Sequence, residues 1–163
     1  MLGVPVPEKF SRLAMSNAVA AIIRTPQGKY LMQLRDDIPN IWYPGTWGCF
    51  GGAIDDGEQP LEALRRELNE ELEMNLGAAT LVSRLEFDLR PAGLDRYFRE
   101  YYLVEPTGAE LKSLVLHEGE RMAEFSFEEL SAIPVTPYDA FALHLYSAGA
   151  SGVLTRPKGI VKL

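Results

Sequence analysis

The sequence predicts an α/β or α+β domain in which a mixed β-sheet lies between helices. Three observations point there. The chain has 163 residues, 47% hydrophobic and 24% charged, a balance typical of a globular protein with one core. Its 11 prolines and 14 glycines imply too many turns for a long helical bundle or a coiled-coil rod. Its apolar pattern reads strands, helix, strands, short helix, helix, with the hydrophobic period switching accordingly. One domain is expected over residues 1–163, with 1–13 an extended lead-in and 150–163 a C-terminal tail.

Ala18 to Ile23 is apolar and partly β-branched, which reads as a buried strand. Pro26-Gln27-Gly28-Lys29 is a turn, and Tyr30 to Leu34 is the returning strand of a hairpin. A loop rich in Pro, Asn and Gly follows from Asp36 to Thr46. Trp47 to Phe50 reads as a short strand running into Gly51-Gly52. From Pro60 to Leu72 the period becomes helical. Proline suits the first helical position, and Leu61, Leu64, Leu68 and Leu72 share a face. Two strands are expected after Gly77, over Thr80 to Leu89 and Tyr97 to Val104, with Pro91-Ala92-Gly93 in the turn between them. Met122 to Phe125 is a further short strand. Ser126 and Glu129 have the spacing of a capping box, which starts a short helix. Pro137 to Ala148 is the last long helix, and Ile160 to Leu163 is a candidate strand in the tail.

There are 16 Lys and Arg against 23 Asp and Glu, a net charge of −7. Such a surface disfavours nucleic-acid polymers and anionic membranes as partners. A small anionic substrate stays open, because a bound cation can invert the local field. With one cysteine, Cys49, and two histidines, His117 and His144, neither an internal disulfide nor a Cys/His zinc site is expected. A reducing, cytoplasmic location is the default. The stretch from Leu13 to Ile23 follows Lys9 and Arg12 and faintly resembles a signal peptide, but Ser16 and Asn17 interrupt it and the strand reading is preferred. No apolar run approaches the ~18 residues that cross a membrane.

The chemistry is concentrated between Gly51 and Met74. On a wheel of about 100° per residue, Glu67, Glu70 and Glu71 fall beside the leucine stripe, and Arg66 and Glu73 lie further round. Carboxylates this close repel each other, more so where water is excluded. Protons or a cation relieve that repulsion. Carboxylate oxygens suit Mg²⁺ or Mn²⁺, and Mg²⁺ takes one or two carboxylates together with substrate phosphates. The Gly51-Gly52 pair lets backbone approach an ion or phosphate closely. Asp55-Asp56-Gly57 is a tight turn. Glu58 then precedes the helix, where the dipole favours a carboxylate, within reach of Arg65 or Arg66. A solvated acidic helix is the competing reading, and the helix alone leaves both open.

Gly52, Glu58 and the run Arg66-Glu67-Leu68-Asn69-Glu70-Glu71 resemble the Nudix box of the Nudix hydrolases, G-x5-E-x7-R-E-U-x-E-E-x-G-U with U aliphatic. Eight of the nine specified positions match, counting Leu68 and Met74. The exception is Glu73, where the pattern has glycine, a departure that bears on the helix exit more than on the acidic residues. The order of strands and helices around the box also resembles the Nudix fold, an α/β/α sandwich. The resemblance implies hydrolysis of a pyrophosphate bond in a nucleoside diphosphate linked to another moiety, with Mg²⁺ or Mn²⁺. It implies that Glu67, Glu70 and Glu71 and the carbonyl of Gly51 ligate metal. Arg66 then orients the glutamates, and Glu58 and Gly52 brace the loop. The general base varies within the family. Glu67 is one candidate, and Glu118 or Glu120, in the His117-Glu118-Gly119-Glu120 loop, is another.

The box does not select the substrate. Trp42, Tyr43, Trp47, Tyr97, Phe98 and Tyr138 are candidate stacking surfaces, although Trp47 and Phe50 fit the core better. Tyr97, Arg99 and Tyr101 share one strand face. A ring beside an arginine suits a nucleotide, and a cross-strand pair is the competing reading. Arg35, at the end of the hairpin strand, is a candidate phosphate contact. Cys49, His117 and His144 are read as structural or solvated. The alternative function is a non-catalytic nucleotide sensor on the same fold. A homodimer, frequent in the family, stays open.

Overall fold

A computed structural model of the chain describes residues 16–93 and 95–149. The expected lead-in 1–13 and the tail 150–163, with its candidate strand, lie outside the described residues. Six strands form the sheet: β1 (Ala18–Arg24), β2 (Tyr30–Leu34), β3 (Trp47–Gly48), β4 (Thr80–Asp88), β5 (Arg96–Val104) and β6 (Arg121–Phe125). Among the described residues, four α-helices accompany it: α1 (Pro60–Leu72), α2 (Gly108–Ser113), α3 (Phe127–Leu130) and α4 (Pro137–Ser147). The strand order is β3-β2-β1-β5-β4, with β6 added to β2. The pair β1 and β5 is parallel and the other pairs are antiparallel. The sheet is therefore mixed, as expected, and the chain is of α/β class.

Burial of β1 on both faces explains its unbroken apolar run. Val19, Ala21 and Ile23 pack with Leu64, Leu68 and Leu72 of α1, while Ala20 and Ile22 pack with Ala142 and Leu143 of α4. Those two cores, one on each side of the sheet, make three layers. Strands β1 and β2 pair only at their hairpin end, Ile23 with Leu31 and Arg24 with Tyr30. They then diverge, and residues 47–53 fill the wedge. β3 pairs with β2, Phe50 and Ala53 bridge to β1, and the carbonyls of Phe50 and Gly52 accept from the amides of Ala21 and Val19. This wedge is why the strand expected over Trp47 to Phe50 stops at Gly48: the chain changes partner there.

One helix went unforeseen. α2 starts at Thr107, whose hydroxyl accepts from the Glu110 amide (3.2 Å), while the Glu110 carboxylate accepts from the Thr107 amide (2.7 Å). That capping box is legible as Thr107-x-x-Glu110, but Pro106 and Gly108 around it read as loop. The Pro91 turn takes up one short 3₁₀ turn, Arg90–Ala92, closed by Gly93 in the left-handed region. No helix among the described residues is long and apolar enough to cross a membrane.

Candidate active site

The buried leucines of α1 bring one edge of the helix against the glycine pair. The three box carboxylates then fall into unlike environments, which the wheel had grouped together. Glu71 is 4% exposed. It accepts from the Gln33 side-chain amide (3.0 Å) and from the Gly51 amide (2.7 Å). Glu67 lies in the wall of a cleft, and Glu70 stands out at the surface with its side chain 55% exposed. Burial pushes the Glu71 carboxyl up to about 7 and raises that of Glu67. Both disfavour the bare charged form, as expected for carboxylates taken out of water.

Arg66 organises the loop before the helix. Its Nε and Nη2 donate as a fork to Glu58 (3.0 and 2.9 Å), and Nη2 also donates to the Ala53 carbonyl (2.9 Å). Nη1 donates to Glu67 (2.7 Å) and, at 3.4 Å, to Glu70. Of the two arginines within reach of Glu58, the structure uses Arg66. Its hydrogen bonds hold the Glu58 carboxyl below the usual range. The two box-proximal glycines answer to different constraints, backbone at Gly51 and the Glu67 side chain at Gly52. Gly51 has φ +127°, and a Cβ there would fall on the Val19 carbonyl. A Cβ on Gly52 would sit 2.5 Å from Glu67 Oε1.

The C-terminal end of α1 is closed by the 114–120 loop. The amides of Val115 and His117 donate to the carbonyls of Leu72 and Glu71 (3.1 and 2.9 Å), which the helix itself leaves unsatisfied. Glu73, in place of the family glycine, still adopts the left-handed conformation (φ +53°). Its amide donates to Asn69 and that of Met74 to Leu68, so the helix exit keeps its geometry. The loop delivers Glu118 to the cleft, 67 and 71 being its electrostatic neighbours. Glu120 is exposed and is not part of the cleft lining.

The cleft has a volume of about 460 Å³. Gly51, Gly52, Glu67, Glu71 and Glu118 line it together with Arg35, Trp42, Tyr43, Tyr97, Arg99 and Tyr138. Trp47 and Phe98 lie elsewhere: Trp47 is buried against Phe125, and Phe98 lies under the Arg84 guanidinium. Arg35 Nε donates to the Trp42 carbonyl (2.8 Å), which ties the arginine to the 36–46 loop. Tyr97 is at once a cross-strand partner, stacked on Phe87 at 4.8 Å, and a cleft residue. Two residues of the site escaped sequence reading. Gln33 holds Glu71, and the only signal was a polar residue at a buried strand position. Asp139, in the first turn of α4, is 1% exposed and turned inward, accepting from Thr136, Cys49 and Tyr101.

Among the described residues, no three His, Cys, Asp or Glu side chains are gathered to hold an ion by themselves. The reason is visible. Arg66 occupies Glu67, and Glu71 is turned onto the Gly51 amide. The donor set nevertheless suits Mg²⁺, which needs only one or two carboxylates with substrate phosphates and water. Two partly or fully desolvated carboxylates, Glu67 and Glu71, line the cleft with Glu118. The Gly51 carbonyl, between two carbonyls committed to β1, accepts from no described residue.

Comparisons with known proteins agree with this architecture. A curated RNA pyrophosphohydrolase of Gluconacetobacter diazotrophicus is 42% identical over 57 residues, which is 33% of this chain and 34% of the relative. The chain thus covers about a third of that relative's length. The solution structure of the E. coli ORF135 protein aligns with a TM-score of 0.66 at 26% identity, over 91% of this chain and 98% of that one. The NUDIX domain of Shewanella oneidensis NrtR, solved with ADP ribose, aligns at 0.66 and 16% identity, over 90% and 94%; at that identity only the fold is compared. A family model for the NUDIX domain matches residues 15–147, and on that span the chain belongs to the Nudix hydrolase family.

Proposed function

We propose that the protein hydrolyses a pyrophosphate bond in a nucleoside diphosphate linked to another moiety, with Mg²⁺ or Mn²⁺ as cofactor. One observation carries the reading: desolvated glutamates and aromatic and arginine side chains line one and the same cleft. In this reading Glu67, Glu70, Glu71 and the Gly51 carbonyl hold the cation, Glu70 swinging in from the surface. A divalent cation bound there neutralises phosphate charge and lowers the pKa of water. Arg66 sets the orientation of Glu67 and, through Glu58 and Ala53, of the glycine loop. Glu118 is better placed than Glu120 to take the proton of the attacking water. Water attacks phosphorus in line, the bridging P–O bond breaks, and the leaving phosphate departs with the bridging oxygen.

The test is product analysis on nucleoside triphosphates, nucleotide sugars, ADP-ribose and dinucleotides with Mg²⁺. A 5′-triphosphorylated RNA belongs in the panel because of the name of the relative matched over 57 residues, although a net charge of −7 offers a nucleic-acid backbone little. Turnover that survives excess chelator, or that is unchanged in Glu70→Gln and Glu71→Gln, would refute the metal roles. Nucleotide binding without cleavage across the panel would favour the sensor.

A further inference from the structure

Arg99 lines the cleft from β5, beside Ala18 of β1. Its side chain is 13% exposed, and the nearest carboxylate oxygen, Asp139 Oδ1, is 3.6 Å from Nε, too far for a hydrogen bond. Nε is buried without a partner, and no described residue accepts from the guanidinium. Three donors already hold the Asp139 carboxylate, which stays at ion-pair distance from Arg99. Oδ2 accepts from the Cys49 amide (2.9 Å) and the Thr136 hydroxyl (2.7 Å), and Oδ1 accepts from the Tyr101 hydroxyl (2.8 Å). The carboxylate offsets the charge of Arg99 and leaves its donors unused. Arg99 lines the cleft, so a ligand there can supply acceptors to the terminal guanidinium nitrogens, from which no described residue accepts.

The surroundings narrow the ligand. The guanidinium lies 4.9 Å from the centre of the Tyr138 ring, and Tyr97, backed by Phe87, forms the neighbouring wall. Flat aromatic walls suit a flat heterocycle, and the Asp139 carboxylate repels a phosphate. A rigid donor fork pairs with two acceptors side by side. Among the bases, cytosine offers N3 and O2 together, and guanine offers O6 and N7. Adenine sets an amino donor beside each acceptor of its ring edge, and uracil or thymine sets N3–H between its carbonyls.

Resting on the nucleotide reading above, we propose that Arg99 determines base specificity, selecting a base with two adjacent acceptors, cytosine or guanine, over adenine and uracil or thymine. The experiment is equilibrium binding of the α,β-methylene analogues of CTP, GTP, ATP and UTP to the full chain in Mg²⁺, with cleavage measured separately. The CTP or the GTP analogue is expected to bind about tenfold or more tighter than the ATP and UTP analogues, and which of the two wins identifies the edge. Arg99→Lys keeps a positive charge opposite Asp139 but lacks the fork. It is expected to bring all four analogues within about twofold of one another, with inorganic tripolyphosphate binding as in the wild type. Equal binding of the four by the wild type, or binding of none, overturns the proposal. So does a preference that survives Arg99→Lys, or a loss of tripolyphosphate affinity that matches the loss for nucleotides. If Arg99→Lys does not fold, the wild-type panel decides. Base preference without cleavage would remove the hydrolase reading and leave this one standing; cleavage without preference would do the reverse.

Discussion

At Glu73 a non-glycine residue holds φ +53° at the exit of α1. The left-handed region costs an L-residue about 1–2 kcal/mol, and the compensating contact with His117 (2.7 Å) joins two exposed side chains, worth little. Glu73→Gly is therefore expected to stabilise the protein by about 0.5–1 kcal/mol after glycine's own chain entropy is counted. Urea unfolding at constant m checks this; destabilisation would mean that the His117 contact dominates. At Gly52 the constraint is functional. An added Cβ meets the end of the Glu67 side chain at 2.5 Å, which can move aside. Gly52→Ala should fold, yet lose about a hundredfold in kcat as Glu67 is displaced. Cys49 is 2% exposed and burial pushes its thiol well up. Its alkylation by iodoacetamide should follow unfolding, so fast labelling of the native protein would contradict the packing.

The helix α1 does two jobs through two faces. Leu64, Leu68 and Leu72 are fully buried, and Leu68→Ala is expected to cost about 2–5 kcal/mol by calorimetry. The other face reaches the loop through Arg66, whose fork to Glu58 binds loop and helix into one unit. Arg66→Lys keeps the charge but cannot make that fork. It should lower turnover about 10- to 100-fold, as is usual when the support of a metal ligand is removed, with a smaller effect on the thermal midpoint. An unfolding loss as large as that of Leu68→Ala would make the brace structural instead.

At the scale of the whole molecule, the cleft is stabilised by whatever neutralises it. Mg²⁺ that binds only the folded chain should raise the thermal midpoint, by about 2.7 kcal/mol of stability at a hundred times Kd, and chelator should reverse it. In chelator, the carboxyl of Glu71 has a folded value of about 7 against an ordinary 4.5. A raised folded value means that the native state binds the extra proton. Its contribution is present below the ordinary value and is lost as pH rises through about 7. Glu71→Gln should remove that slope and hold the metal-free protein steadier above neutral pH, while losing the response to Mg²⁺. A Glu71→Gln protein that still gains stability from Mg²⁺ would place the ion elsewhere.

Periodicity and turn chemistry are local, so the sequence by itself determined the elements: the ends of α1 at Pro60 and Leu72, the hairpin of β1 and β2, and the capping box at Ser126 all lie where their residues place them. The spacing from Gly52 to Met74 likewise pointed to the family, because one helix and one turn carry it. Burial and pairing between distant segments were settled only by the tertiary structure. It sank Glu71, kept Glu70 at the surface, and turned Asp139 inward beneath Arg99, ninety residues along from its partner Cys49. A wheel shows the direction of a side chain but not what stands opposite, and it is the opposite wall, built from β2, β5 and the 114–120 loop, that gives each carboxylate and each arginine its environment.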